Sequence, residues 1–163
     1  MGPAGATPYR FGDLLALARQ SWVRQVTEQL ERAGFSGYRR TDSWLLRLLR
    51  QEAMPIGQIG TAMGVTRQAA RKFADGLAER GYATLRADPD DARRTLVELT
   101  PAGLAYAGAV QAAQDALNDA VRRRVSAPEL AAADAVLRAV FPGQAARTRI
   151  AAAVPPPAGE TGG

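Results

Sequence analysis

The chain contains neither cysteine nor histidine. That excludes disulfides, thiol redox sensing, Cys/His zinc sites, thiol and imidazole nucleophiles and imidazole acid–base chemistry, so most enzyme classes lose their usual groups. Lysine is nearly missing too: Lys72 is the only one among 21 basic residues, the rest being Arg, while Ala fills 34 positions. GC-rich coding produces that bias without any functional cause. No run approaches the ~18 apolar residues of a membrane span, and no basic segment followed by an apolar one opens the chain. A cytoplasmic protein with no membrane partner is expected. What is present suffices for one ordinary domain, since 163 residues that are 47% hydrophobic can close a single core. The formal net charge of +5 favours a polyanionic partner.

Helical periodicity dominates both ends. Thr7-Pro8 reads as a cap with proline at the first helical position, followed by Leu14, Leu17, Ala18, Val26 and Leu30 at helical spacing to about Ala33. Gly34 and Gly37 stop that helix, and Thr41-Asp42 caps a shorter, largely buried one carrying Leu45, Leu46, Leu48 and Leu49. Thr100-Pro101 repeats the cap-plus-proline signal and opens a second long, alanine-rich helix to about Arg124. Ser126-Ala127-Pro128-Glu129 has capping-box spacing and starts a last helix ending before Pro142-Gly143. The expected organisation is a disordered N-terminus at 1–6, one subunit over 7–141, and a disordered Pro/Gly-rich tail at 142–163. Two long terminal helices cannot both bury their apolar faces against so small a centre. Residues 7–41 and 101–141 are therefore expected to dimerise around the region 42–100, with Leu117 and Val121 in the seam between subunits.

Residues 56–80 carry the strongest local pattern. Ile59, Gly60, Met63, Gly64, Val65, Ala70, Phe73, Ala74 and Leu77 form the apolar and small-residue frame of a helix-turn-helix. The second helix opens at Thr66, a good N-cap. At ~100° per residue it turns Ala70, Phe73, Ala74 and Leu77 inward and Gln68, Arg71, Lys72 and Asp75 outward. Gln68 suits adenine, Arg71 guanine, and Lys72 a phosphate. A charge run usually means only a solvated face, but residues 66–72 hold three cations and no acid. Gly57 and Gly60 are expected to weaken the preceding helix.

Tyr82–Arg86 and Thr95–Leu99 read as the two strands of a β-hairpin, separated by the polar run Ala87-Asp88-Pro89-Asp90-Asp91-Ala92. Three carboxylates there invite a metal reading, and with it a metal-dependent enzyme. They lack calcium-loop spacing and are followed by Arg93 and Arg94, so salt bridging fits better. Asp91 is expected to hold the Arg93 guanidinium in a fixed direction for entry into a narrow minor groove. The fold class is thus mainly α with a small β-hairpin wing.

These residues together resemble the winged helix-turn-helix of the multiple antibiotic resistance regulator (MarR) family. The resemblance runs through Gly64-Val65-Thr66-Arg67-Gln68, Leu77-Ala78-Glu79-Arg80-Gly81-Tyr82, and an Asp-x-Arg at Asp91–Arg93 followed by Leu99-Thr100-Pro101-Ala102-Gly103. It implies a bacterial homodimeric transcriptional regulator, usually a repressor of inverted-repeat operators, that often responds to a small aromatic effector. It also implies a major-groove helix and a minor-groove wing, with Arg93 as the minor-groove arginine and Asp91 its orienting partner. The DNA-contact set is Thr66, Arg67, Gln68, Arg71, Lys72, Arg86, Asp91, Arg93 and Arg94, and no catalytic residue, metal or cofactor is expected. Tyr9, Trp22, Tyr38 and Trp44 are aromatic candidates for an effector pocket, although core or interface packing is the commoner role for such residues. The alternative is an architectural, weakly sequence-specific DNA-binding protein relying on phosphate contacts.

Overall fold

The computed structural model describes residues 10–141. In chain order it forms α1 (Phe11–Arg32), α2 (Asp42–Leu49), β1 (Met54–Pro55), α3 (Ile56–Met63), α4 (Arg67–Ala78), β2 (Ala83–Ala87), β3 (Thr95–Leu99), α5 (Pro101–Arg122) and α6 (Ala127–Ala139). The segments 1–6 and 142–163, expected to be disordered, lie outside the described residues, as does the Thr7-Pro8 cap. Helix α1 begins instead at Phe11, with Arg10 at its cap and no side-chain bond there.

Three of the expected caps form. Thr66 Oγ1 accepts the Ala69 N–H, Thr100 Oγ1 accepts the Gly103 N–H, and Ser126 and Glu129 close a reciprocal capping box. Thr41 does not cap α2: it is already helical, and its side chain makes no cap bond. Asp42 takes over, its Oδ2 accepting the Arg39 N–H at 2.9 Å.

The sheet has three antiparallel strands in the order β1-β3-β2, one more than the expected hairpin. The hairpin pairs Ala83 with Leu99 through to Ala87 with Thr95, and β1 adds Met54↔Val97 and Pro55↔Leu96 on the other side of β3. A two-residue strand has no periodicity to read. Its proline is tolerated because β1 is an edge, where the missing N–H removes no ladder bond.

The core joins Val26 and Leu30 of α1, Leu45, Leu46 and Leu49 of α2, Ile56 and Ile59 of α3, Ala70, Ala74 and Leu77 of α4, and Val97 of β3. Helix α5 closes it with one stripe, Tyr106, Val110, Ala113 and Leu117, at spacings of three and four residues. Leu117, expected in the seam between subunits, is instead packed into the core of its own chain at 7% exposure, whereas Val121, one turn on, is 40% exposed. Residues 11–20 of α1 and all of α6 are exposed, leaving Phe11, Leu14, Leu17, Val136 and Leu137 without cover among the described residues.

Helix α3 is a regular eight-residue helix despite Gly57 and Gly60. A Cβ at Gly60 would lie 3.2 Å from the Val65 carbonyl oxygen and 3.6 Å from the Ala70 Cβ, so this glycine is the point of close approach between α3 and α4. Gly64 turns the chain between them in the left-handed region at φ +66°. Gly103 has a similar cause. A Cβ there would fall on the Tyr82 carbonyl, which itself accepts the Thr100 N–H at 3.1 Å. The Leu-Thr-x-x-Gly run thus locks the start of α5 against the chain leaving α4.

Candidate nucleic-acid interface

Helix α4 presents the face its sequence specifies. Ala70, Ala74 and Leu77 are buried and Phe73 is half-buried, whereas Arg67, Gln68, Arg71 and Lys72 are exposed. The Thr66 hydroxyl is engaged in capping at 3.1 Å. Gln68, Arg71 and Lys72 line an open trough of about 700 Å³ together with Asp75, Glu79 and Arg39. Arg71 does not stand free. Its Nε reaches Asp75 Oδ1 at 2.9 Å and Oδ2 at 3.1 Å, an exposed pair one helical turn apart that a stronger acceptor can displace. Arg67 lies around the helix from this trough. With Arg94 it lines a second cleft, of about 270 Å³, between the start of α3 and the base of the hairpin.

In the wing, Arg86 is paired with Glu98 of β3 at 3.0 Å, and Arg94 Nε approaches Asp88 Oδ2 at 3.6 Å. Contrary to the expectation that it grips the Arg93 guanidinium, Asp91 bonds the backbone through its carboxylate. Its Oδ1 accepts the Arg93 backbone N–H at 3.0 Å, and its own carbonyl accepts the Arg94 N–H at 2.8 Å. Asp88 Oδ1 likewise accepts the Asp90 N–H at 3.0 Å. Short acids in a tight turn bond the nearest backbone donors because these reach them with no loss of rotamer freedom beyond their own. The carboxylates therefore shape the tip, and the Arg93 side chain is exposed without an ion pair among the described residues.

Three residues that govern the position of α4 escaped sequence reasoning. Asp42 is 2% exposed and receives both Arg80 Nη2 (2.9 Å, to Oδ1) and Arg80 Nη1 (2.8 Å, to Oδ2), plus the Tyr106 hydroxyl at 2.8 Å. Arg80 also donates to the last turn of α4 at the Gly76 carbonyl (2.7 Å) and to the Gly37 carbonyl (3.0 Å). One buried carboxylate thus ties the end of α4 to α2, to α5 and to the loop before α2. The hydrogen bond to Asp42 holds the Arg80 guanidinium above its ordinary pKa, and burial, then the Asp42 charge, push the Tyr106 phenol well up. Tyr106 stacks on Tyr82, the residue that leads into the wing, at 4.3 Å between ring centres. The partners are 38 and 64 positions apart in sequence, so only an isolated acid on an otherwise leucine-rich helix hinted at the arrangement.

The aromatic effector candidates are dispersed. Trp22 and Tyr38 pack against the core, Trp44 is half-buried, and Tyr9 lies outside the described residues. A groove of about 480 Å³ runs along α1 between Ala16, Arg19, Gln20, Val23 and Arg40, and Trp22, Tyr38 and Trp44 are not among the residues that line it.

A glycine-turned helix pair whose second helix exposes cations, followed by a hairpin with an arginine tip, defines a winged helix-turn-helix. Residues 36–94 match a model of the MarR family. Solved structures of similar fold include the MepR–DNA complex of S. aureus (17% identity, TM-score 0.67, covering 80% of this chain and 95% of that one). A mutant MarR from E. coli complexed with operator DNA is similar at 22% identity and TM-score 0.66, over 80% and 93% of the two chains. The PcaV transcriptional regulator of Streptomyces coelicolor, in complex with its natural ligand, gives 22%, 0.63, 86% and 96%. No curated protein sequence matches the chain.

Proposed function

We propose that the chain is a sequence-specific double-stranded DNA-binding transcriptional regulator. In this reading it is a bacterial, cytoplasmic, ligand-responsive repressor that holds an inverted-repeat operator as a homodimer. The observation that carries it is the outward face of α4, where Gln68, Arg71 and Lys72 share one trough, together with a wing tipped by an exposed Arg93. Gln68 and Arg71 read base edges in the major groove, Arg71 exchanging Asp75 for guanine. Thr66, Arg67, Lys72 and Arg94 take phosphates, Arg86 steadies the wing against Glu98, and Arg93 enters the minor groove from a backbone shaped by Asp91.

Dimerisation is supported by the apolar residues that α1 and α6 leave uncovered. Segments 7–41 and 101–141 are assigned to the dimer and 42–100 to DNA. Response to a small aromatic effector is supported by the groove along α1, whose apolar floor is flanked by the cations Arg19 and Arg40.

Selection of bound duplexes from a random pool tests the reading. It is expected to return an inverted repeat whose half-sites are centred about 10–10.5 base pairs apart or a multiple of that. Recovery of duplexes with no common sequence contradicts it and marks an architectural protein.

A further inference from the structure

Gly76 is buried in the third turn of α4, a place where alanine would make the better helix. What it makes room for is specific. A Cβ there would stand 2.5 Å from Arg39 Nη1 and 3.6 Å from Arg39 Cζ, and no other atom of the described residues outside its own helical neighbourhood lies within 4 Å. The glycine is a seat for one guanidinium.

Arg39 comes from the loop before α2 and is held there from behind. Its N–H is bound by Asp42 Oδ2 at 2.9 Å, and two residues earlier the Gly37 carbonyl is bound by Arg80 at 3.0 Å. Asp75 and Glu79 line the same trough, yet Asp75 is engaged by Arg71, and Arg39 enters no ion pair among the described residues. An exposed cation on an anchored backbone, with no ion pair among the described residues, thus stands on the rim of the trough beside the later turns of α4.

We propose that Arg39 is a further DNA-backbone contact, seated on Gly76 and gripping a phosphate at the edge of the groove that α4 enters. The inference rests on the reading of the α4 face as DNA-binding. Phosphate is the matching chemistry because recognition helices touch base edges with their first turns, so a cation beside the later turns faces the strand bordering the groove. It also offsets Glu79, which would otherwise repel that strand. Pre-positioning lowers the ordering cost of the contact.

Because a phosphate contact is indifferent to sequence, the full chain is titrated with a random-sequence duplex at several salt concentrations. For a dimer that contributes two such contacts at about 0.9 each, Arg39→Gln is expected to flatten the slope of log affinity against log salt by about 1.8. Arg39→Lys restores most of the slope. Gly76→Ala, which unseats the guanidinium, is expected to weaken binding while raising Tm, an opposite-signed pair that loss of folding cannot produce. A slope unchanged in Arg39→Gln, with the wild type binding normally, overturns the assignment of Arg39 alone. Wild-type protein that binds no duplex at any salt overturns both this assignment and the reading beneath it.

Discussion

Replacing Arg80 with Met leaves a carboxylate that is 2% exposed without its counter-ion, while the methionine still fills part of the space of the arginine stem. Removing one partner of a buried ion pair typically costs about 3–5 kcal/mol, far above the 0–1 kcal/mol of an exposed pair. Two features of the site set the value inside that range. Asp42 keeps the Arg39 N–H and the Tyr106 hydroxyl as donors, which lowers the cost. The Gly76 and Gly37 carbonyls lose their Arg80 bonds, at about 0.5–1.5 kcal/mol each, which raises it again. The expected loss is about 4 kcal/mol. With an m-value of about 2 kcal/mol/M, that lowers the urea midpoint by about 2 M, read at fixed protein concentration because association shifts apparent stability. Adding Asp42→Asn, which neutralises the stranded carboxylate, is expected to recover part of the loss. A loss below about 1 kcal/mol, or a double variant less stable than Arg80→Met, would refute the claim that this pair anchors α4.

Other outcomes follow from the same geometry. Gln68→Ala is expected to relax preference at one operator position by about 1–3 kcal/mol, whereas Lys72→Ala weakens specific and random duplexes alike; equal effects in both variants would remove the division of roles. Arg93→Ala is expected to cost most of the operator affinity with fold and dimer intact. Asp91→Ala should weaken operator binding despite removing a negative charge, because the turn that presents Arg93 loses its backbone bond; tighter binding at both low and high salt would sink that mechanism. Val121→Glu combined with Leu137→Glu puts charge on exposed apolar positions of α5 and α6 and should yield folded monomers by sedimentation; a persistent dimer would place the interface elsewhere. The Tyr106 phenol is pushed up from its ordinary value of 10, so above that pH the native chain retains a proton that the unfolded chain releases, and stability falls as pH rises. Tyr106→Phe should make the decline above pH 10 shallower, and an unaltered decline would contradict the buried bond to Asp42.

Elements specified by local chemistry were legible in the sequence. Thr66, Thr100 and Ser126 cap their helices through bonds spanning only three residues, and Gly64 turns left-handed where the periodicity breaks. The outward set on α4 follows from helical angle alone. What was illegible depends on tertiary partners. Strand β1 exists because β3 offers a free edge, which no property of Met54-Pro55 announces. Leu117 and Val121 look alike in sequence, and only the packing of α5 makes one core and the other surface. Asp91 and Arg93 have opposite charges at close spacing, yet a tight turn brings the carboxylate to the N–H before it can reach the guanidinium. The Asp42, Arg80 and Tyr106 cluster and the seat for Arg39 are formed only when three separate segments meet.

The most direct measurement is the affinity of the wild-type chain for a duplex recovered by selection, set against its affinity for a random duplex of equal length at one fixed salt concentration near physiological. Base reading by α4 and the wing requires the selected duplex to bind at least about 10³ times more tightly. A ratio near one would mean that the cations touch only phosphates, and would contradict sequence-specific recognition by this face.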